Sequence, residues 1–312
     1  MLRILYGTAE KNIDITIPCQ TKCMKNNIIR IPAGDFMRAF IFTDPHVDVL
    51  KSIFIHKADQ VFNYDHHATI YIDNSNQDIF TQTSPLPEYI KACYPDHTDG
   101  LKKMHQKLKL DYGSFQDEYP EQLLAVEYIS GNESVLEIGG NIGRNSVIIA
   151  SILNDHNNTN LVTLECCTSI ATQLTHNRNI NNLFFHVENA ALSKTDLYQP
   201  DGQWQTVQSN TPIEGHTKLT TITFDEIEAK YKIKFDTLVM DCEGAFYYIL
   251  QDMPDMLKNI NLIIMENDYN LIEHKEFVDN ALIASGLSRV HWEAGGWGPC
   301  FHRFYEVWKR LS

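Results

Sequence analysis

The residues with the clearest chemical potential in this chain are glycines and acids at the ends of apolar runs. Val135-Leu136-Glu137-Ile138 runs into Gly139-Gly140-Asn141-Ile142-Gly143. Glycines there let backbone come close to a ligand, and the helix start that follows offers free N–H donors to a carboxylate. The spacing is not G-x-G-x-x-G, which argues against a nicotinamide oxidoreductase. Glu165 closes the next apolar run, Leu161 to Leu164, where a carboxylate can accept both hydroxyls of a ribose. Asp241 and Glu243 straddle Cys242 after the run Thr237-Leu238-Val239-Met240, and Glu266 ends Ile263-Ile264-Met265. Acids in those places can orient a ligand or remove a proton, or hold a divalent metal that lowers a hydroxyl pKa.

The elements that must position these residues follow from periodicity. Strand-like runs at Val135–Ile138, Leu161–Leu164, Phe235–Met240 and Leu262–Met265 alternate with helical segments at about Asn145–Leu153, Ile170–Arg178, up to Leu250, and Lys275–Ala284. That alternation predicts an α/β domain, a parallel Rossmann-like sheet with helices on both faces. Ser288–Trp292 and Phe301–Trp308 are strand-like with no helix between them, which predicts an antiparallel pair at the sheet edge. Upstream, Ile13–Ile17, Ile28–Ile31, Ser52–Ile55 and Thr69–Ile72 predict a small β-rich accessory domain over residues 1–80. Leu101, Met104 and Leu108 recur at helical spacing, giving a helical connector over 81–118 before the domain at 119–312.

Several linked motifs in order, Glu137 to Gly143, Glu165, Thr221-Ile222-Thr223-Phe224-Asp225-Glu226, Asp241-Cys242-Glu243-Gly244 and Ile263-Ile264-Met265-Glu266, resemble those of FkbM-type methyltransferases. The resemblance covers roughly Tyr119 to Leu311. It implies a class I methyltransferase fold, S-adenosylmethionine as methyl donor, and O-methylation of a sugar hydroxyl in a glycan or glycosylated metabolite. The implied donor contacts are Glu137, Gly139, Gly140, Asn141, Gly143, Glu165, Asn189 and Ala190, and the implied catalytic residues are Asp241, Glu243 and Glu266. Two positions depart from the family pattern: Cys166 replaces the proline after the ribose acid, and Met240 replaces a lysine. The N-terminal segment, with Leu5-Tyr6-Gly7-Thr8 and Phe42-Thr43-Asp44-Pro45, resembles accessory domains on such enzymes in large DNA viruses, and it is expected to serve self-association or acceptor presentation. Rival readings are a protein or lipid acceptor, and a silent module that binds the donor without catalysis.

Composition sets outer limits. Lys+Arg 26 against Asp+Glu 40 leaves a net charge of -14, which repels a nucleic-acid backbone, and Lys102, Lys103, Lys107 and Lys109 read as a solvated face. Seven cysteines without paired spacing indicate reduced thiols. The first residues carry no apolar core of signal length, and no eighteen apolar residues run together, so a cytoplasmic protein without a membrane span is expected, in the host cytoplasm if the source is a virus. Trp292, Trp297 and Phe301 are candidates for a sugar platform, and His216, His291 and His302 for a base.

Overall fold

A computed structural model describes residues 2–200 and 206–311 and divides the chain into two compact units, Met1–Asp96 and His97–Ser312. Among the described residues no helix is long and apolar enough to cross a membrane.

In the first unit two four-stranded antiparallel sheets are built from Arg3–Gly7, Asn12–Asp14, Ser52–Lys57 and Gln60–Tyr64, and from Met24–Lys25, Ile28–Ile31, Ile70–Asp73 and Ile79–Thr81. Alternate residues of both, among them Ile4, Tyr6, Ile53 and Ile55 from one and Ile29, Ile31, Ile70 and Ile72 from the other, form one apolar core. The run Ile13–Ile17 is not a single strand. Asp14 accepts the Thr16 backbone N–H at 3.0 Å and its hydroxyl at 2.7 Å, and this side-chain turn ends the strand and starts the helix Thr16–Lys22. Helical residues in the stretch 81–118 fall in both units. Glu88–Cys93 packs on Ile28 and Tyr71 through Ile90 and Cys93, whereas helix α1 (His97–Lys107) places Leu101 in the core of the second unit.

The second unit continues with α2 (Tyr119–Tyr128), β1 (Val135–Ile138), α3 (Arg144–Asp155), β2 (Leu161–Leu164), α4 (Thr168–Ile180) and β3 (His186–Glu188). After a small three-stranded antiparallel sheet come α5 (Phe224–Tyr231), β4 (Thr237–Met240), α6 (Phe246–Asp252), β5 (Leu262–Glu266), α7 (Ile272–Ala284), β6 (Leu287–Glu293) and β7 (Tyr305–Arg310). The main sheet has the order β3-β2-β1-β4-β5-β7-β6, parallel except for β7, which runs antiparallel to both β5 and β6. The antiparallel edge is therefore present, but its last strand starts at Tyr305. Phe301 lies in a 3₁₀ turn, Gly298–Arg303, entered through Pro299.

Because strand side chains alternate, the sheet has two apolar faces. Leu136, Ile138, Leu238, Met240, Ile263 and Met265 face α5, α6 and α7, and Val135, Val239, Leu262, Ile264 and Val307 face α1, α2 and α3. Glu137 and Glu266 share the parity of the second set, a point with consequences for the site. Thr221-Ile222-Thr223-Phe224-Asp225-Glu226 is a strand end and helix start: Glu226 N–H donates to Thr223 Oγ1 at 3.3 Å and Thr223 N–H to Glu226 Oε2 at 2.9 Å, a capping box that fixes α5.

Candidate active site

A crevice of about 760 Å³ opens at the carboxyl ends of β1, β2, β4 and β5, where ligands of open α/β sheets bind. One wall is the turn after β1. Gly139 has φ +88°, and a Cβ there would lie 1.6 Å from the Asp241 carbonyl oxygen, so only glycine lets this turn seat against the end of β4. Gly140 is equally constrained, by Thr163 Cγ2 at 2.1 Å. Gly143, at φ +91°, starts α3.

Of the predicted donor contacts, Gly139, Asn141, Glu165 and Ala190 line the crevice. Glu165 is nearly buried and its carboxylate is held at both oxygens, by Asn141 N–H at 3.0 Å and Cys167 N–H at 2.7 Å. Each oxygen keeps lone-pair capacity toward the crevice. Asn189 stands behind it, its amide donating to the Glu165 carbonyl at 2.8 Å and accepting from the Thr168 hydroxyl at 2.8 Å. Gly140 and Gly143 shape the turn without lining the crevice.

Glu137 lies under the turn, on the face covered by α2 and α3. It is 3% exposed and accepts the Thr163 hydroxyl at 2.8 Å. Burial pushes its carboxyl up to about 7, against the lowering effect of that hydrogen bond. It lines a second, very small cavity together with Glu118, Glu121, Asn145 and Asp241.

Asp241 is where the two spaces meet. On the crevice side, carboxylate oxygens of Asp241, Glu243 and Asp268 all lie within 4.8 Å of one another. Asp268 receives Gly244 N–H at 2.7 Å, yet burial, then Glu243, raises it to about 7. On the interior side, Glu266 points toward α2 and the carboxyl of Glu121. Burial raises Glu121 to about 7, and burial with Asp241 and Glu121 raises Glu266 to about 11. Asp241 itself is raised by burial and by Asp268, Glu118 and Glu121. Arg144, which donates to Glu118 at 2.7 Å, is the cation at the margin of this group.

The other sequence candidates lie elsewhere. Trp292, Trp297, Phe301, His216, His291 and His302 do not line the crevice, whereas Tyr248 and His274 do. Glu118, Glu121 and Asp268 also escaped the sequence reading. Asp268, two residues past Glu266, was the most accessible of these, since acids at i and i+2 flank one strand end. Glu118 and Glu121 sit at the start of a helix, where acids are ordinarily dipole partners, so they carried no distinguishing signal.

The strand order with its reversed β7, the glycine turn after β1 and the acids after β2 and β4 make a Rossmann-like α/β fold, preceded by a β-rich unit. No protein-family model matches the chain, and no curated protein does. Among solved structures, it is similar to a putative O-methyltransferase from Klebsiella pneumoniae, at 15% identity and a TM-score of 0.40 over 72% of this chain and 95% of that one. It is also similar to an O-methyltransferase from Bacillus cereus in complex with SAH, at 16% identity and 0.39 over 72% and 96%. A ribosomal protein L11 methylase from Lactobacillus delbrueckii subsp. bulgaricus matches at 10% and 0.40 over 65% and 82%. At such identities, substrate and chemistry must be argued from the site residues of this chain.

Proposed function

We propose that this chain is an S-adenosylmethionine-dependent O-methyltransferase whose acceptor is a sugar hydroxyl of a glycan or glycosylated metabolite. The observation that carries the reading is the placement of Glu165 and Asp241 on one crevice, at the ends of β2 and β4, with the glycine turn of β1 between them. The order of motifs shared with FkbM-type methyltransferases supports the O-methyl assignment and the sugar class.

The crevice fits the donor. Its volume lies in the range of small-molecule sites, roughly 300–1,000 Å³. Glu165 is pre-oriented for two ribose hydroxyls, and Ile138, Leu164, Ala190 and Leu192 offer apolar wall. Bound there, the donor supplies a methyl group already activated on a positive sulfonium. The chain's task is then to hold the acceptor oxygen in line and take its proton.

Asp241 is the residue for that proton. Burial, and then crowding by other acids, makes its carboxylate more basic than a free aspartate, and an arriving positive charge favours the ionised form. Glu243 and Asp268 orient the acceptor's other hydroxyls, and Glu118 and Glu121 keep Asp241 basic from the interior side. A metal-assisted version is favoured by one observation, the 4.8 Å clustering of Asp241, Glu243 and Asp268. Those three would hold a divalent cation, which would lower the hydroxyl pKa.

Calorimetry with S-adenosylmethionine and its demethylated product tests the donor assignment. The wild-type chain binds both, and Glu165→Ala weakens binding about 10- to 100-fold, the loss of hydrogen bonds to a charged group. Equal affinity in wild type and variant would overturn it.

A further inference from the structure

The crevice is chemically asymmetric from β2 to β5. Toward β2 and β3 it is lined by Glu165 with aliphatic and uncharged polar residues such as Ala190, Leu192, Ser193 and Gln199, whereas toward β4 and β5 it is lined by Tyr248 on α6 and by Leu271 and His274 at the start of α7. Tyr248 is 56% exposed, and the core does not account for it. Its neighbours fix it in place. Tyr247 and His274 stack at 3.7 Å with rings 6° from parallel, and Tyr248 stands edge-on to both, at 4.9 Å and 79° from Tyr247 and 5.6 Å and 78° from His274. Phe277 closes the far side of Tyr247 at 5.1 Å. An exposed aromatic braced by two rings loses little freedom when a ligand covers its face.

Charge narrows what can sit there. The described lining includes the acids Glu165, Asp241, Glu243, Asp252 and Asp268, and no lysine or arginine. A phosphate or carboxylate entering that end meets like charge with no lysine or arginine among the described lining residues to receive it. Hydroxyl groups meet acceptors instead, since an ionised carboxylate accepts hydrogen bonds only. An apolar ring face beside a row of acceptors suits a ring that has C–H on one face and hydroxyls at its rim.

We propose that Tyr248, braced by Tyr247 and His274, is the acceptor platform of the crevice, and that it takes an uncharged hydroxylated ring and rejects phosphorylated and carboxylated ones. This rests on the reading of the crevice as a methyltransferase site, which sets the β2 side aside for the donor.

The test is saturation-transfer-difference NMR on the full chain loaded with S-adenosylhomocysteine. The probes are the neutral methyl glycosides of glucose, galactose and mannose, with glucose 6-phosphate and glucuronate as charged counterparts. Saturation is expected on ring protons of at least one neutral glycoside and on neither charged sugar. Tyr248→Ala should abolish that signal, or weaken it roughly 3- to 10-fold, the worth of one aromatic contact, while Tyr248→Phe keeps it and calorimetric affinity for S-adenosylhomocysteine is unchanged in both. Transfer to the charged sugars, transfer to no sugar, or a neutral-sugar signal that survives Tyr248→Ala overturns the proposal. So does loss of S-adenosylhomocysteine binding in Tyr248→Ala, which would give the platform to the donor. Failure of the wild-type chain to bind S-adenosylhomocysteine refutes the methyltransferase reading instead, and the same sugar spectra recorded without it still judge the platform.

Discussion

The two units treat buried charge in opposite ways. In the first, charges are matched. Arg38 is fully buried, and its guanidinium donates to the carbonyls of Pro32, Asp65 and Ala68 at 2.9, 2.8 and 2.6 Å. Lys51, 3% exposed, bridges Asp35 and Asp44 at 3.0 Å each; burial alone would pull its ammonium down, yet these two carboxylates raise it. Asp73, which is buried, is lowered by Ser75. In the second unit, Glu121, Glu137 and Asp268 are raised to about 7 and Glu266 to about 11, chiefly by burial, with like charges adding to it at each. Paired burial serves stability or is neutral to it. Unpaired burial costs stability, and here it gathers around Asp241, between the crevice and the interior space beside it.

The contrast is not simply one unit against the other. In the second unit Glu306 is fully buried on β7, beside the edge strand β6, and it is satisfied by Lys275 at 2.8 Å, Arg289 at 2.8 Å and the Trp308 indole N–H at 2.9 Å. This unit can supply cations to a buried acid. It does so at the edge of the sheet and withholds them at the crevice.

The sharpest way to break the comparison is Asp241→Asn. Single-turnover methyl transfer at saturating donor should fall about 10²- to 10⁴-fold, the usual worth of a positioned base. The urea midpoint should hold or rise, because one crowded charge is gone. Near-wild-type transfer, or a marked loss of stability, would mean that Asp241 is matched like the acids of the first unit. Lys51→Met tests the other arm. Leaving Asp35 and Asp44 facing each other without their cation should cost the first unit about 3–5 kcal/mol in urea unfolding, and a cost below about 1 kcal/mol, as for surface pairs, would remove the distinction.

A smaller effect comes from Glu137. Between its ordinary value near 4.5 and about 7 the folded chain keeps a proton that the unfolded chain has lost. This contribution is therefore fully present at acid pH and is lost as pH rises through that window, by up to about 3 kcal/mol. Glu137→Gln keeps an acceptor for the Thr163 hydroxyl and removes the titration. Urea unfolding at pH 5 and pH 8 should show a shallower fall in the variant, and an identical pH slope would place the titration elsewhere.

Much of the second unit was legible before any coordinates. Continuous apolar runs alternating with helical ones announced the parallel sheet, and the runs of β1, β2 and β4 end beside residues that line the crevice. Legibility failed where meaning depends on a partner distant in sequence. Glu137 reads as a donor contact because it precedes the glycines, but strand parity turns it away from the crevice and onto Thr163. Ile13–Ile17 reads as a strand until the Asp14 side chain is seen to turn the backbone at Thr16 into a helix. The terminal tryptophans read as core or as a platform, and among the described residues the rings at the crevice are Tyr248, Tyr269 and His274.

Local sequence by itself determined the order of strands and helices, the glycine turn after β1 and the acids that close β2, β4 and β5, because backbone freedom and side-chain period act over a few neighbouring residues. Only tertiary structure decided which acids crowd and which are matched. Coulomb interaction and desolvation depend on distance and burial, and those were set when the sheet brought Asp241 next to Asp268, and α2 brought Glu121 next to Glu266.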